Sequence, residues 1–300
     1  MLSVGIDVGG TNLKAGLVTQ EGNLLRSVSK PLHWTDEKAF AAQLAAMARE
    51  VIGTHPLSAL ASVGIGIPGA VDSGTVLHTE NIPMKNLPLA ALFRETLNLP
   101  VVLANDADCA AAAEYLFGSG RGTRNFVTVT LGTGIGGGLI LNGRLYQGMC
   151  CAGEVGCMRI DRGEDPGSWE SYASATGLIR LAEIALNVHP DSLLRELPLN
   201  GKTIFDAADR GDPAALQAVS DYVRCLGIGL TNLADILMPE VIALGGGVSA
   251  APEWLLLEPV RRYVDSHCYC RNVGKFPRIC RAELGNDAGI VGAAMIGTLL

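Results

Sequence analysis

The apolar positions of this chain fall into two periods, and the first informative pattern is a strand that breaks at glycines and then resumes. Val4-Gly5-Ile6-Asp7-Val8 stops at Gly9-Gly10-Thr11-Asn12 and continues as an apolar run over residues 13–18. The same pattern returns at residues 127–131, Gly132-Thr133-Gly134 and residues 135–139. Each copy predicts two strands joined by a glycine-rich bend. A turn at Glu21-Gly22-Asn23 leads to a third strand near residues 24–28. Asp36 then suits the cap of a helix in which Phe40, Leu44, Met47 and Val51 share one face.

Further strands are predicted at residues 61–67, stopped by Pro68-Gly69, and at residues 101–104. Between them lie a polar loop containing Asn81 and a helix near residues 89–97. The second of these strands ends in Asn105-Asp106-Ala107-Asp108 and opens into an alanine-rich helix over residues 109–115. The stretch from residue 168 to 238 reads as helical, residues 241–244 as a strand running into Gly245-Gly246-Gly247, and a closing helix begins near Asp287. Strands alternating with helices predict an α/β protein with a mostly parallel core. The glycine-rich residues 117–122 are the best boundary, giving a small lobe over residues 1–117, joined by the closing helix at about residues 287–300, and a large lobe over residues 118–286.

At each bend the glycines bare backbone N–H groups where a Cβ would block a ligand, which suits phosphate. A single copy is more often a mere tight turn. Two copies predict two similar lobes, each offering a phosphate cradle to a cleft that takes a nucleotide. Net charge narrows the partners: at −7 over 300 residues it argues against nucleic acid. Composition adds that 48% hydrophobic and 18% charged residues fit a soluble protein with little disorder. The opening runs straight into a strand without a leader, and residues 223–238 are interrupted by Arg224, Asn232 and Asp235, so no membrane span is expected.

The eight cysteines lie mostly in apolar or helical stretches, which reads as a reduced, cytoplasmic set. Neither Cys150-Cys151 with Cys157 nor His267-Cys268-Tyr269-Cys270 has paired Cys-x-x-Cys spacing, which argues against a zinc site built from either.

Four sets of residues offer chemistry. Asp7, beside a phosphate loop, would repel the ligand unless Mg²⁺ intervened through water; its other reading is a turn-shaping aspartate. Thr11 and Thr133 supply hydroxyls, or simply turn residues. Asn105-Asp106 sits at a strand end, where open α/β sheets place ligands, yet an aspartate there also caps helices. Glu154 and Glu170 suit hydrogen bonds from sugar hydroxyls, although solvated glutamates are the ordinary case.

The chain resembles the ROK family of sugar kinases and repressors, in the actin-like hexokinase clan. The resemblance spans essentially the whole chain and rests on Asp7-Val8-Gly9-Gly10-Thr11, Pro68-Gly69 with Asn81, Asn105-Asp106-Ala107, Leu131-Gly132-Thr133-Gly134-Ile135-Gly136-Gly137-Gly138, Ala152-Gly153-Glu154-Val155-Gly156, Glu170-Ser171-Tyr172-Ala173-Ser174, Gly245-Gly246-Gly247 and Asp287-Ala288-Gly289 with Gly292-Ala293-Ala294. It implies a two-lobed actin-like/hexokinase (ribonuclease H-like) fold with an ATP and sugar cleft between the lobes. It implies that Asp106 is the general base toward the sugar 6-hydroxyl, and that Gly69, Asn81, Asn105, Glu154, Cys157 and Glu170 line the sugar. Gly9, Gly10, Thr11, Asn12, Gly132, Thr133, Gly134, Gly246 and Gly247 would hold ATP, and a homodimer is expected.

Two departures from the family pattern stand out. Most members carry a histidine where this chain has Cys157, and a zinc-binding cysteine loop whose thiolates are replaced here by Asp161, Gly163 and Ser168. Zinc is therefore expected to be absent, and the sugar pocket to be altered near Cys157. The expected activity is an ATP-dependent, glucokinase-like hexose kinase; acceptors such as N-acetylmannosamine, allose, fructose or a β-glucoside stay open. The repressor branch carries a DNA-binding domain ahead of the first loop, for which a loop beginning at Asp7 leaves no room. A sugar-binding protein without catalysis is disfavoured by the retained Asp7, Asp106 and both loops.

Overall fold

The structure is a computed structural model that describes residues 1–160 and 167–300. Its chain divides into two compact units, one formed by Met1–Thr123, Gly138–Gly153 and Glu283–Leu300, the other by Arg124–Gly137 and Glu154–Ala282.

The first unit opens with β1 (Leu2–Val8), β2 (Asn12–Thr19) and β3 (Leu24–Pro31), an antiparallel meander. Helix α1 (Glu37–Ile52) follows, and the Asp36 carboxylate accepts the Ala39 N–H at 2.8 Å, the cap its sequence predicts. Strand β4 (Leu60–Ile67) lies parallel to β1, and β8 (Val101–Asn105) parallel to β4, so the sheet has the order β3-β2-β1-β4-β8. Phe40, Leu44 and Met47 of α1 are fully buried with Ile6 and Ile65 of the sheet.

Where the sequence reads as a polar loop, residues 69–87 form a three-stranded antiparallel sheet of β5 (Gly69–Asp72), β6 (Thr75–Thr79) and β7 (Lys85–Leu87). These strands are three to five residues long, too short for period-2 alternation to register. Helix α2 (Leu89–Leu97) has its expected bounds, whereas α3 (Asp106–Phe117) starts three residues earlier than the alanine pattern suggests. Its start is set by the Asn105 cap.

In the second unit β9 (Phe126–Leu131) leads through the second glycine bend to β10 (Ile135–Leu141), which crosses into the first unit at Gly138 and is followed there by β11 (Arg144–Leu145). Two-residue strands β12 (Arg159–Ile160) and β13 (Gly167–Ser168) pair, and helices α4 (Trp169–Ala173), α5 (Ala175–Leu186), α6 (Gly201–Asp209) and α7 (Pro213–Leu237) follow. Strand β14 (Val241–Gly245) lies parallel to β9, helix α8 (Leu257–His267) follows, and β15 (Arg278–Arg281) lies parallel to β14. The sheet order is β11-β10-β9-β14-β15.

Trp169 anchors this unit's helical core: its ring is fully buried, its indole N–H donates to the Cys225 carbonyl at 3.0 Å, and Gly229 leaves room for it. The chain ends in α9 (Ala288–Met295), which packs on α3 and β1 in the first unit. Gly292 permits that approach, since a Cβ there would lie 1.6 Å from the Cys109 carbonyl oxygen. Among the described residues no helix is long and apolar enough to cross a membrane.

Candidate functional site

In the first unit the candidate residues gather where β1, β8 and α3 end or begin. Asn105 is the last residue of β8 and the cap of α3: its side-chain oxygen accepts the N–H groups of Ala107 at 2.8 Å and Asp108 at 3.4 Å. The same amide donates to the Gly69 carbonyl at 3.2 Å, which ties two of the sugar candidates together. Because Asn105 does the capping, Asp106 is left as the first residue inside the helix, with Oδ1 2.9 Å from the Ala107 N–H. The helix N-terminus favours its negative charge. Asn81 lies in the exposed bend after β6, two residues beyond Thr79, the register partner of Gly69.

Asp7, at the end of β1, is half-buried, and burial pushes its carboxyl above the ordinary aspartate range while the Lys14 charge pulls it back. Gly289 gives the Asp7 carboxylate room, for a Cβ there would lie 2.8 Å from Cγ and Oδ2. Asp7, Asp106 and Asp108 all bear on Cys109, whose buried thiol is pushed well up, first by burial and then by these three charges. The two carboxylates singled out from sequence thus share one neighbourhood. The Gly9–Asn12 bend beside them is closed by the Gly9 N–H on the Asn12 carbonyl at 2.9 Å, and the space around Gly10 is open. Asn12 donates to the Thr11 hydroxyl at 3.3 Å.

In the second unit the other sugar candidates surround the bend Gly132–Ile135. Glu170, at the start of α4, accepts the Ile135 N–H at 2.8 Å, and a Cβ on Gly134 would come within 2.3 Å of the same oxygen. From the next helix, Ala175 donates its N–H to the Gly132 carbonyl at 2.8 Å and the Thr176 hydroxyl donates to the Thr133 carbonyl at 3.0 Å. The turn holding Glu154 and Cys157 presses on the same place, since a Cβ on Gly156 would lie 2.3 Å from the Ile135 carbonyl oxygen. Both side chains are exposed. Of the positions where the family's zinc thiolates would stand, Ser168 caps α4 through the Ser171 N–H at 3.3 Å, while Asp161 and Gly163 lie outside the described residues.

Gly246 has φ of +81°, and a Cβ on it would lie 2.5 Å from the Leu131 carbonyl oxygen, so glycine is required on both counts. Gly132, Thr133 and Gly247 line a pocket of about 810 Å³ with Phe205, Ala251 and Arg281. Sequence reading missed the last three, which carry no motif and come from α6, from the turn after β14 and from β15. The Arg281 guanidinium is spent on structure, donating to the Ser249 and Ala251 carbonyls. The pocket's walls are largely apolar and its floor is the glycine bend, a combination suited to a base with phosphates attached.

The sequence pattern of the ROK family matches residues 3–298, and the chain belongs to that family. It is 36% identical to a glucokinase of Halalkalibacterium halodurans, covering 98% of this chain and 94% of the relative. It is 36% identical to a glucokinase of Streptomyces coelicolor over 98% of this chain and 96% of the other. Among solved structures it is similar to a ROK glucokinase from Streptomyces griseus in complex with glucose and AMPPNP, with a TM-score of 0.79, 35% identity and 98% of each chain covered. The fold is accordingly the actin-like sugar-kinase fold that the sequence motifs imply, with an α/β sheet in each unit.

Proposed function

We propose that this chain is an ATP-dependent hexose kinase that moves the terminal phosphate of ATP to the 6-hydroxyl of a sugar, with glucose the first acceptor. The observation that carries this is the relation to glucokinases over 98% of the chain, in a protein that retains both glycine bends and Asp106. In this reading Asp106, at the strand end where β8 gives way to α3, accepts the hydroxyl proton as the oxygen attacks. Gly69, Asn81, Asn105, Glu154, Cys157 and Glu170 orient the sugar. The bends at Gly9–Asn12 and Gly132–Gly134, with Gly246 and Gly247, hold the nucleotide. Positioning and charge neutralisation then do most of the work.

Asp7 is the residue to hold Mg²⁺ through water: a carboxylate whose charge burial disfavours gains from a cation beside it. When bound, Mg²⁺ neutralises phosphate charge. We read the protein as a cytoplasmic homodimer; none of its eight cysteines, all among the described residues, forms a disulfide, which fits a reducing compartment. We also infer that Cys157 and its neighbours hold no zinc, because Ser168 supplies a capping hydroxyl where a thiolate would be needed. Elemental analysis should give the same zinc content before and after Cys157→Ser.

The acceptor is tested by a panel of hexoses with MgATP in a coupled ADP-release assay. Glucose should give the highest kcat/KM. A better rate with N-acetylmannosamine, allose, fructose or a β-glucoside would shift the acceptor and keep the kinase. Absence of sugar-dependent ADP release from every member of the panel would overturn the reading.

A further inference from the structure

Helix α7 ends beside the turn that follows α8, and four side chains with metal-binding atoms meet there. Asp235 lies in the last turn of α7, and Met238 closes that helix in the left-handed conformation with φ of +46°. Cys268 caps α8, and Cys270 lies in the turn Tyr269–Asn272. The two cysteine sulfurs and a carboxylate oxygen of Asp235 all lie within 4.8 Å of one another, and Cys270 Sγ is 3.0 Å from Met238 Sδ. Both cysteines are essentially without solvent exposure, while Asp235 is exposed.

We propose that Cys268, Cys270 and Asp235, with the Met238 thioether as a weaker fourth donor, form a site for a zinc-class d¹⁰ cation. Sequence spacing argued against such a site because His267-Cys268-Tyr269-Cys270 lacks paired Cys-x-x-Cys spacing. Tertiary packing adds a carboxylate and a thioether from some thirty residues upstream.

Three arguments support the assignment. Two thiols with a thioether are soft donors, which select zinc or copper(I) over magnesium or calcium. Zinc–sulfur bonds of about 2.3 Å in a tetrahedron set the sulfurs about 3.8 Å apart, a separation that falls within the 4.8 Å span of these donor atoms. The carboxylate donor is also held in place: the Tyr269 N–H, next to both cysteines in the chain, donates to Asp235 Oδ1 at 2.7 Å. Met238 closes α7 in the left-handed conformation, and its thioether lies against Cys270.

His267 is not part of the set. Its ring stacks on Tyr263 with centroids 4.0 Å apart, and Nδ1 faces the Tyr263 carbonyl at 2.7 Å and the Ser266 hydroxyl at 2.9 Å. Binding breaks two S–H bonds, forms two metal–sulfur bonds and sends two protons to solvent, so the ion takes up two thiolates and one carboxylate. The ion would tie the end of α7 to the turn after α8.

The test is a Co²⁺ titration of the full-length chain, stripped with chelator, in a background where the more accessible Cys150, Cys151 and Cys157 are serine. One equivalent should produce thiolate-to-cobalt charge transfer with tetrahedral ligand-field bands, and one equivalent of Zn²⁺ should remove them. Asp235→Asn should weaken binding at least about tenfold, and Cys268→Ser with Cys270→Ser should abolish the bands. Bands that persist in that double variant, or no bands at several equivalents of Co²⁺, would overturn the proposal. Should the double variant fail to fold by circular dichroism, Asp235→Asn decides, because an unchanged affinity there also overturns it.

Discussion

Replacing Glu170 by alanine removes the oxygen that accepts the Ile135 N–H at 2.8 Å, and so loosens the bend that the proposed function assigns to ATP phosphate. A hydrogen bond to a charged acceptor is worth about 1.5–3 kcal/mol. Glu170 is exposed, which argues for the lower end. At 1.4 kcal/mol per factor of ten, the nucleotide should bind about tenfold more weakly. Glu170→Gln keeps an oxygen in place, and exchanging a charged for a neutral acceptor costs about 1 kcal/mol, or roughly fivefold. A residue that only gripped sugar would raise the sugar KM and leave the nucleotide alone. Because Glu170 also braces the bend, both substrates should be affected.

The decisive assay is calorimetric binding of a non-hydrolysable ATP analogue in the absence of sugar, alongside steady-state KM values for both substrates. Thermal denaturation controls for global damage, and Gly134→Ala should mimic the nucleotide defect, since its Cβ would come within 2.3 Å of the Glu170 carboxylate. If Glu170→Ala bound the analogue within twofold of wild type, the hydrogen bond to Ile135 would have no part in holding the loop.

Other outcomes follow from the same geometry. Asp106→Asn should lower kcat by about 10²–10⁴ while both substrates still bind and the helix stays capped by Asn105; Asp108→Asn should do much less, and near-normal turnover of Asp106→Asn in the coupled assay would remove it from the chemistry. Gly292→Ala would put a methyl 1.6 Å from a backbone carbonyl on α3, so urea denaturation should show a loss near or above the usual 1–3 kcal/mol for overpacking; wild-type stability would mean that the two helices are less closely packed. Asp212 caps α7 and accepts from Ala215 N, Leu193 N and the Ser192 hydroxyl at 2.7–2.9 Å. Burial raises its carboxyl, but these donors outweigh burial and hold it below 3.8. Its stabilisation is therefore present above pH 3.8 and lost as pH falls through the lowered folded-state value, so the stability gap to Asp212→Ala, at least about 1 kcal/mol near neutrality, should close in strong acid. A gap that is constant with pH in denaturation curves would contradict that sign.

The features legible in the sequence are those whose causes are local. A strand broken by Gly9-Gly10 must bend there, Asp36 caps the helix that follows it, and Pro68 stops β4, all through interactions within a few residues. The motifs carried the family and the fold in the same way, because glycines at a bend and an aspartate at a strand end sit next to the structure they make. The sheet over residues 69–87 was not legible, since strands that short are stabilised by partners across the sheet and leave no periodic trace of their own.

What only the tertiary structure decided are meetings between distant residues. Asn105 rather than Asp106 proves to be the cap, because β8 sets the angle at which α3 leaves the sheet and directs the Asn105 amide to Gly69. Glu170 meets Ile135 across 35 residues, Phe205 and Arg281 join Thr133 around one pocket, and Asp235 comes beside Cys268 and Cys270. No local propensity encodes these contacts. They form because packing α4, α5, α6 and α8 around α7 fixes where each polar side chain emerges.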